Sequence, residues 1–262
     1  MRCSCGQITA RTWLRGRYHR AVGFPEGYPF EIVVCDACGL ARTRPTPSSA
    51  QYAAGAAHSS DRLAGPDGYS EGLAAQAAQI APGGRLLDVG CSTGEVVAHA
   101  QTLGMDALGI DQDPGPVEAG VTLGRALKVA GLGELEDEYD VILMNHTLEH
   151  IVTPVAFLTA AAAVLAPGGT MLVNVPNYRS PVAFLMRDQW IGWLPTEHVF
   201  HYSQSTLARV ASAAGLRMVR SSSLGVIETP SEGVKGIAKR AITVAARRAG
   251  RGDELESVLR RA

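Results

Sequence analysis

Leu86-Leu87-Asp88-Val89-Gly90-Cys91-Ser92-Thr93-Gly94-Glu95 is the stretch that decides how this chain is read. An apolar run over 85–91 ends in a glycine turn and opens a helical stretch, so the turn carries few side chains and offers backbone N–H groups to a ligand. No Lys-Ser or Lys-Thr pair follows Gly94, which removes the lysine that a phosphate-cradling loop needs, and a carboxylate at Asp88 repels pyrophosphate. Asp111 closes the next apolar run, about 20 residues on, where a carboxylate bonds the two hydroxyls of a ribose. The ligand that suits these residues has an adenosine and a cationic centre, without phosphates.

Outward from that turn, further apolar runs over 105–111, 127–132, 139–145 and 170–177 alternate with helical stretches. Runs that are apolar without alternation are buried on both faces, so the pattern reads as βαβ units in a parallel, doubly wound sheet covered by helices. Pro167-Gly168-Gly169 marks a turn into the fifth strand, 205–214 reads as a helix stopped by Gly215, and 216–222 as a sixth strand. An Ala-rich helix is expected around 73–80, after a Pro/Gly/Ser-rich connector.

The chain has 262 residues, 46% hydrophobic and 19% charged, which excludes disordered and fibrous classes. Its 24 Lys and Arg against 25 Asp and Glu give a net charge of -1, so the field that drives non-specific nucleic-acid binding is absent. With no apolar window long enough for a transmembrane segment and no signal-peptide core at Met1, a cytoplasmic protein is expected.

Four of the five cysteines come in short-spaced pairs, Cys3/Cys5 and Cys35/Cys38, each followed directly by glycine and separated by 29 residues. In a reducing compartment such pairs either place four thiolates around a structural Zn²⁺, with the glycines freeing N–H groups to bond the sulfurs, or stay as free cysteines in a small apolar module. The Cys-x-Cys half is tighter than the usual spacing.

Asp88-Val-Gly-Cys-Ser-Thr-Gly94, Gly109-Ile-Asp111, Tyr139-Asp-Val-Ile-Leu-Met-Asn145 and Leu165-Ala-Pro-Gly-Gly169 occur in the order of, and resemble, the motifs of class I S-adenosylmethionine-dependent methyltransferases. The resemblance spans 85–222 and implies a Rossmann-like fold with S-adenosylmethionine as cofactor. It implies that Asp88, Gly90 and Gly94, with the backbone of Cys91 and Ser92, hold the methionyl portion. Asp111, with Gln112 beside it, takes the ribose; Gly131 and Leu132 lie near the adenine; Asn145 sits behind the sulfonium. Ser92 stands where the family usually has glycine, and the acidic residue often found beside the adenine amine is missing at Gly131. No seventh strand is read in 223–262.

The cysteine module, the Cys38-Gly-Leu-Ala-Arg-Thr-Arg-Pro-Thr-Pro47 run, and Pro176-Asn177-Tyr178 ahead of Trp190 and Glu197-His198 are similar to methyltransferases of bacterial antibiotic, deoxysugar and surface-polysaccharide gene clusters. That likeness implies a small-molecule acceptor, a sugar, nucleotide-linked sugar or secondary metabolite methylated on a hydroxyl.

A hydroxyl acceptor needs a general base, and the candidates are His146, Glu149, His150 and His198. If a helix begins after the fourth run, His146 and His150 share one face, where with Glu149 they either fix a ring tautomer or bind a divalent ion. Related quinone-pathway O-methyltransferases have Glu-x-x-Glu-His at this place, and His146 replaces the first carboxylate. The long segment 178–203 is rich in rings, Phe184, Trp190, Trp193, Phe200 and Tyr202 among them. It reads either as a lid whose rings stack on the acceptor or as ordinary core and dimer contact.

The chain divides by composition into a zinc-ribbon-like module (1–48), a linker and helix (49–84), a cofactor-binding domain (85–230) and a basic C-terminal helical tail (231–262), either docked on the domain or touching an anionic membrane surface. Two other readings stand beside the favoured one. An RNA base methyltransferase would grip its substrate through Arg2, Arg11, Arg15, Arg17, Arg20, Arg42 and Arg44 of the module. A non-catalytic cofactor-binding interaction protein would keep the fold alone.

Overall fold

The computed structural model describes Cys5 and residues 9–19, 26–48, 68–225, 244–246 and 248–262. In its central strand, β7 (Tyr139–Asn145), Val141 to Met144 are all buried, which requires cover on both faces. Val141 and Leu143 pack with Leu73 and Ala77 of α1 (Tyr69–Ile80) and Val97 and Ala100 of α2 (Glu95–Thr102). Ile142 and Met144 face the other way, toward Leu158 and Ala161 of α4 (Pro154–Ala163) and Leu207 and Val210 of α6 (Gln204–Ala213).

β4 (Arg85–Val89) lies between β7 and β5 (Asp106–Asp111) and is parallel to both, with Leu87 opposite Ile142 on one side and Leu108 on the other. β6 (Leu127–Val129) follows β5, after α3 (Pro114–Thr122), whose first turn is capped by the Asp113 carboxylate accepting from the Gly115 N–H at 3.0 Å. β8 (Leu165–Pro176) runs parallel to β7 on its far side. The chain leaves β4 in one direction and returns to β7 on the other, so the crevice at the carboxyl ends of β4 and β7 is where an open α/β sheet binds its ligand.

The expected helical tail is corrected at its end. Glu254–Arg261 is a strand, β11, inserted antiparallel between β8 and β10 (Leu216–Gly225), giving the order β10-β11-β8-β7-β4-β5-β6. Leu255, Ser257 and Leu259 are buried on alternate positions, a period of two that the basic residues around them hid. Arg261 donates instead to the Ala162 carbonyl, at the end of α4, at 2.7 Å. Residues 226–243 and Arg247 lie outside the described residues; of the rest of the expected tail before β11, 244–246 and Arg248 are helical. Two smaller corrections concern strand limits. The run over 127–132 is a strand only to Val129, with a 3-10 turn from Leu132, and Pro167-Gly168-Gly169 lies inside β8, with Gly168 at φ 80°.

The cysteine pairs flank a second, antiparallel sheet of β1 (Ala10–Tyr18), β2 (Tyr28–Cys35), β3 (Ala41–Arg44) and β9 (Phe200–His201), the last supplied by the far end of the ring-rich segment. That segment also contributes α5 (Pro181–Met186). Trp190, Trp193, Tyr178 and Val182 share one apolar cluster with Leu14, Tyr28, Phe30 and Ile32 of the small sheet. Phe200 and Tyr202 are buried against the main sheet, so these rings are core, and Phe184, 70% exposed, is the large exposed ring among the described residues of the segment. Among the described residues, no helix is long and apolar enough to cross a membrane.

Candidate functional site

After β4, Gly90 (φ 78°), Ser92 (φ 52°) and Gly94 (φ 80°) all take left-handed backbone, folding the turn back so that the Gly90 and Cys91 N–H groups reach the Ile110 carbonyl at 2.8 and 3.1 Å. A Cβ on Gly90 would lie 2.5 Å from Thr147 Oγ1, and one on Gly94 2.5 Å from Leu127, so neither position admits a larger residue without displacement. Ser92 tolerates the strain, and its N–H donates to Asp111 Oδ2 at 3.0 Å. Cys91 is buried, and burial, with Asp88 and Asp111 nearby, pushes its thiol up, leaving it only a backbone role here.

Asp88 is buried at the end of β4. Burial, then the Asp111 and Glu95 carboxylates, push it up to about 7. Neither Asp88 nor Asp111 forms an ion pair with a cationic side chain among the described residues; Glu95 is paired with Arg125 at 3.0 Å. A pocket with two carboxylates and no resident cation fits a ligand that brings its own positive charge. Gln112 is exposed beside Gly131, whose N–H donates to Glu134 Oε1 at 2.6 Å. A carboxylate three residues on, at Glu134, thus caps the Gly131 N–H, and Leu132 between them is buried.

Across the crevice, the ends of β7, β8 and β11 bring polar side chains together. His146, at φ 52°, leaves the strand in a left-handed turn, and Leu148–His150 is a single 3-10 turn. His146 and His150 therefore do not share a helical face. His146 Nδ1 donates to Glu149 Oε1 at 3.2 Å and Nε2 to Glu254 Oε1 at 3.1 Å. Burial disfavours its charge, but the hydrogen bonds from Glu149 and Glu254 outweigh burial and hold His146 up at about 10. As an imidazolium it has no lone pair to offer a metal or an acceptor proton. Burial raises Glu254, and the bonds from His146 and Tyr69 more than reverse this and hold it below the usual carboxylate range. The Tyr69 hydroxyl lies 2.9 Å from both Glu254 Oε1 and Asn145 Oδ1, and Asn174 donates to Asn145 Oδ1 at 3.1 Å. Burial, then Glu254, pushes the Tyr69 phenol up.

His198 is buried. Its Nδ1 donates to the Gly192 carbonyl at 2.9 Å, leaving the Nε2 lone pair toward Glu149 Oε1, 3.9 Å away. Burial, then His150 and His201, hold it well below the usual range, so the ring is neutral. His150 is half-buried, donates from Nδ1 to the Glu197 carbonyl at 3.3 Å, and packs edge-on against His198 with centroids 4.7 Å apart. Donor atoms of Glu149, His150 and His198 all lie within 4.8 Å of one another, and Glu149 Oε2 is buried without a hydrogen-bond partner. The four candidates thus converge. Tyr69 and Glu254 were missed, because nothing near them in sequence announces a site.

In the small sheet, Cys5, Cys35 and Cys38 have sulfurs within 4.8 Å of one another, and Cys5 and Cys35 are 3.6 Å apart. A tetrahedral zinc about 2.3 Å from each thiolate sets its sulfurs about 3.8 Å apart, so the donor set suits one Zn²⁺. Burial raises Cys35, but the N–H groups of Cys38 and Ala37 and the neighbouring thiols outweigh it and bring the thiol down to about 7. Cys3 lies outside the described residues. The knuckle docks on the rest of the protein through Tyr178 Oη donating to Gly39 O at 2.9 Å and Arg209 Nη1 to Cys38 O at 3.1 Å.

This sheet, glycine turn and polar crevice are those of a methyltransferase domain. Residues 62–221 match that family, and the chain belongs to it. The chain is 34% identical over 124 residues to a ubiquinone biosynthesis O-methyltransferase of Cereibacter sphaeroides, covering 42% of this chain and 50% of the relative. It is 30% identical over 151 residues to the enzyme of the same name from Aeromonas salmonicida, covering 51% and 63%. The chain thus spans between half and two thirds of these relatives' length. Among solved structures it is similar to the 1,6-didemethyltoxoflavin-N1-methyltransferase of Burkholderia thailandensis, with a TM-score of 0.57 at 17% identity, over 89% of this chain and 96% of that one. The CcbJ methyltransferase of Streptomyces caelestis gives 0.57 at 16%, over 76% and 92%. At these identities the likeness is one of fold.

Proposed function

We propose that this protein is an S-adenosylmethionine-dependent methyltransferase that methylates a hydroxyl of a small molecule, a sugar, a nucleotide-linked sugar or a secondary metabolite. The observation that carries the reading is the pairing, across one crevice, of a cation-free dicarboxylate turn with a histidine cluster in which one ring is already protonated and two are bonded through Nδ1 to carbonyls.

S-Adenosylmethionine, when bound, supplies a methyl group on a sulfonium that is already a leaving group. The chain's own residues then have to bind, orient and take up a proton. Asp88 and the Gly90 to Gly94 turn hold the methionyl end, Asp111 the ribose, Gly131, Leu132 and Glu134 the adenine edge. Asn145, fixed by Tyr69 and Asn174, backs the reacting centre.

His150 is the base we assign. His146 is already charged, and His198 is 3% exposed and neutral, so they serve as positioning residues for Glu149 and His150. With Nδ1 committed to Glu197 O, Nε2 is the His150 nitrogen that takes the acceptor's proton. Cys3, Cys5, Cys35 and Cys38 hold a structural zinc in the 1–48 module. The RNA reading is weakened by the module's own pairing, since Arg11 is bonded to Asp36 and Arg15 to Glu31.

The test combines calorimetry of S-adenosylmethionine binding with labelled methyl transfer to a panel of hydroxylated aromatics and sugars. His150→Ala should keep cofactor affinity and lose about 10²- to 10⁴-fold in kcat. Unchanged kcat in His150→Ala would overturn the base, and absence of cofactor binding by the wild type would overturn the whole assignment.

A further inference from the structure

On the α6 side of the sheet, a cavity of about 1010 Å³ that none of the clustered histidines lines opens between the cysteine knuckle, the start of α6, β10 and the turn before β11. It is as large as sites that take whole small-molecule ligands. Four arginines line it, each from a different part of the chain: Arg179 after β8, Arg209 on α6, Arg220 on β10 and Arg251 before β11. Among the described residues, no aspartate or glutamate lines it.

Elsewhere in the described structure arginines near carboxylates pair with them: Arg11 with Asp36, Arg15 with Glu31, Arg85 with Asp106 and Asp137, Arg125 with Glu95. None of the four cavity arginines has a carboxylate partner among the described residues. Two are held in place by neutral groups. Arg209 Nη1 donates to the Ala37 and Cys38 carbonyls at 3.4 and 3.1 Å, and the Arg179 guanidinium stacks on the Tyr178 ring at 5.3 Å. An arginine anchored this way keeps further N–H donors for another acceptor. Gln204 and Ser205, in the first turn of the ten-residue α6, also line the cavity, so the positive end of that helix adds to the same field.

Four like charges gathered around one concavity repel one another unless an anion sits among them, and the planar guanidinium fork matches phosphate oxygens two at a time. We propose that this cavity is a binding site for the phosphate or diphosphate group of a small organic molecule, separate from the crevice at the carboxyl ends of β4 and β7. The site does not depend on the methyl-transfer assignment, because it is built from residues that play no part in it.

The experiment is calorimetric titration of the full-length protein, alone and saturated with S-adenosylhomocysteine, with inorganic pyrophosphate, UDP, uridine and a single-stranded RNA. UDP and pyrophosphate should both bind, more weakly as salt is raised, and uridine should not. Arg220→Gln and Arg251→Gln change exposed side chains, so the fold should persist, checked by an unchanged melting curve. Each should weaken UDP about tenfold, the worth of one charge-assisted hydrogen bond, and cofactor affinity should stay the same. Absence of UDP binding at millimolar concentration, or binding of UDP by both variants as tight as by the wild type, overturns the proposal. Binding of inorganic pyrophosphate without UDP overturns it in favour of a free inorganic anion. Binding of single-stranded RNA without UDP overturns it in favour of a polymer.

Discussion

Thr43 is the point at which the cysteine module reaches the histidine cluster, and replacing it separates two explanations of why it is there. Its side chain is fully buried on β3; Oγ1 donates to the His198 carbonyl at 2.7 Å and accepts from His201 Nε2 at 2.8 Å. Burial holds His201 down at about 3, so that ring is neutral and donates from Nε2, while its Nδ1 is already buried without a partner. Thr43→Val keeps the shape and removes the hydroxyl. It strands one buried acceptor and one buried donor, each costing about 1–3 kcal/mol, so about 2–6 kcal/mol together. Thr43→Ser keeps the hydroxyl and deletes one buried methyl, for about 1 kcal/mol. Valine is the better strand former and the more apolar residue, so propensity and hydrophobicity alone would rank the variants the other way. Urea denaturation of the full-length protein, read as midpoint at constant slope, gives the order directly. Thr43→Val as stable as the wild type, or more stable than Thr43→Ser, would refute the reasoning.

Four further outcomes are expected. His146 titrates at about 10 when folded against an ordinary 6.5, so its contribution is complete below pH 6.5 and is lost as pH rises through 10. At 1.36 kcal/mol per unit the full span is on the order of 5 kcal/mol; denaturation from pH 6 to 10 should show stability falling in the wild type and a flatter profile in Glu254→Gln. Asp88, raised to about 7, must give up a proton to hold a cation, so S-adenosylmethionine should bind more tightly as pH rises from 6 to 8, with proton release seen in buffers of different ionisation enthalpy. Equal affinity at both pH values would exclude that role. Gly90→Ala adds a Cβ 2.5 Å from Thr147 Oγ1 at φ 78°; about 1–2 kcal/mol of backbone strain alone should weaken cofactor binding about 5- to 30-fold while circular dichroism stays native. Native mass spectrometry should find one zinc per chain and none in Cys35→Ser; a metal-free wild type would remove the ribbon.

The glycine turn of the candidate site was legible in the sequence because its constraints are local. Gly90, Gly94 and Asp111 act through backbone shape and strand ends, and both leave their mark within a few residues. The acceptor side was legible only in part. A spacing of four places two histidines on one face only if the backbone is helical, and the left-handed turn at His146 sends the two rings to different partners. Glu254 meets Tyr69 across 185 residues, and only the antiparallel insertion of β11 between β8 and β10 brings it there. Its strand carries arginines at the exposed end, so the charge pattern pointed to a solvated helix while the alternation of Leu255, Ser257 and Leu259 gave the strand. The rings of 178–203 had the composition of a ligand platform, but composition does not say which partner they cover, and in the fold they cover the small sheet.

That exchange of partners changes what the module does. The ring-rich segment holds the module on one side, through Trp190 and Trp193, and the end of β11 on the other, through Trp190 Nε1 donating to Asp253 Oδ2 at 3.2 Å and Asn177 N–H to Asp253 O at 2.7 Å. Asp253 precedes Glu254, which fixes the charge on His146. The module, through β3, fixes the backbone of His198 and, through the pairing of Ala41 with His201, the start of the return to α6. His198 therefore reaches Glu149 directly, at 3.9 Å, and Glu254 reaches it through His146, each set by a part of the chain remote from the glycine turn. A change in the cysteine knuckle should then be felt first in the orientation of the histidines and only later in cofactor affinity, since Asp88, Gly90 and Asp111 share no hydrogen bond with the small sheet among the described residues.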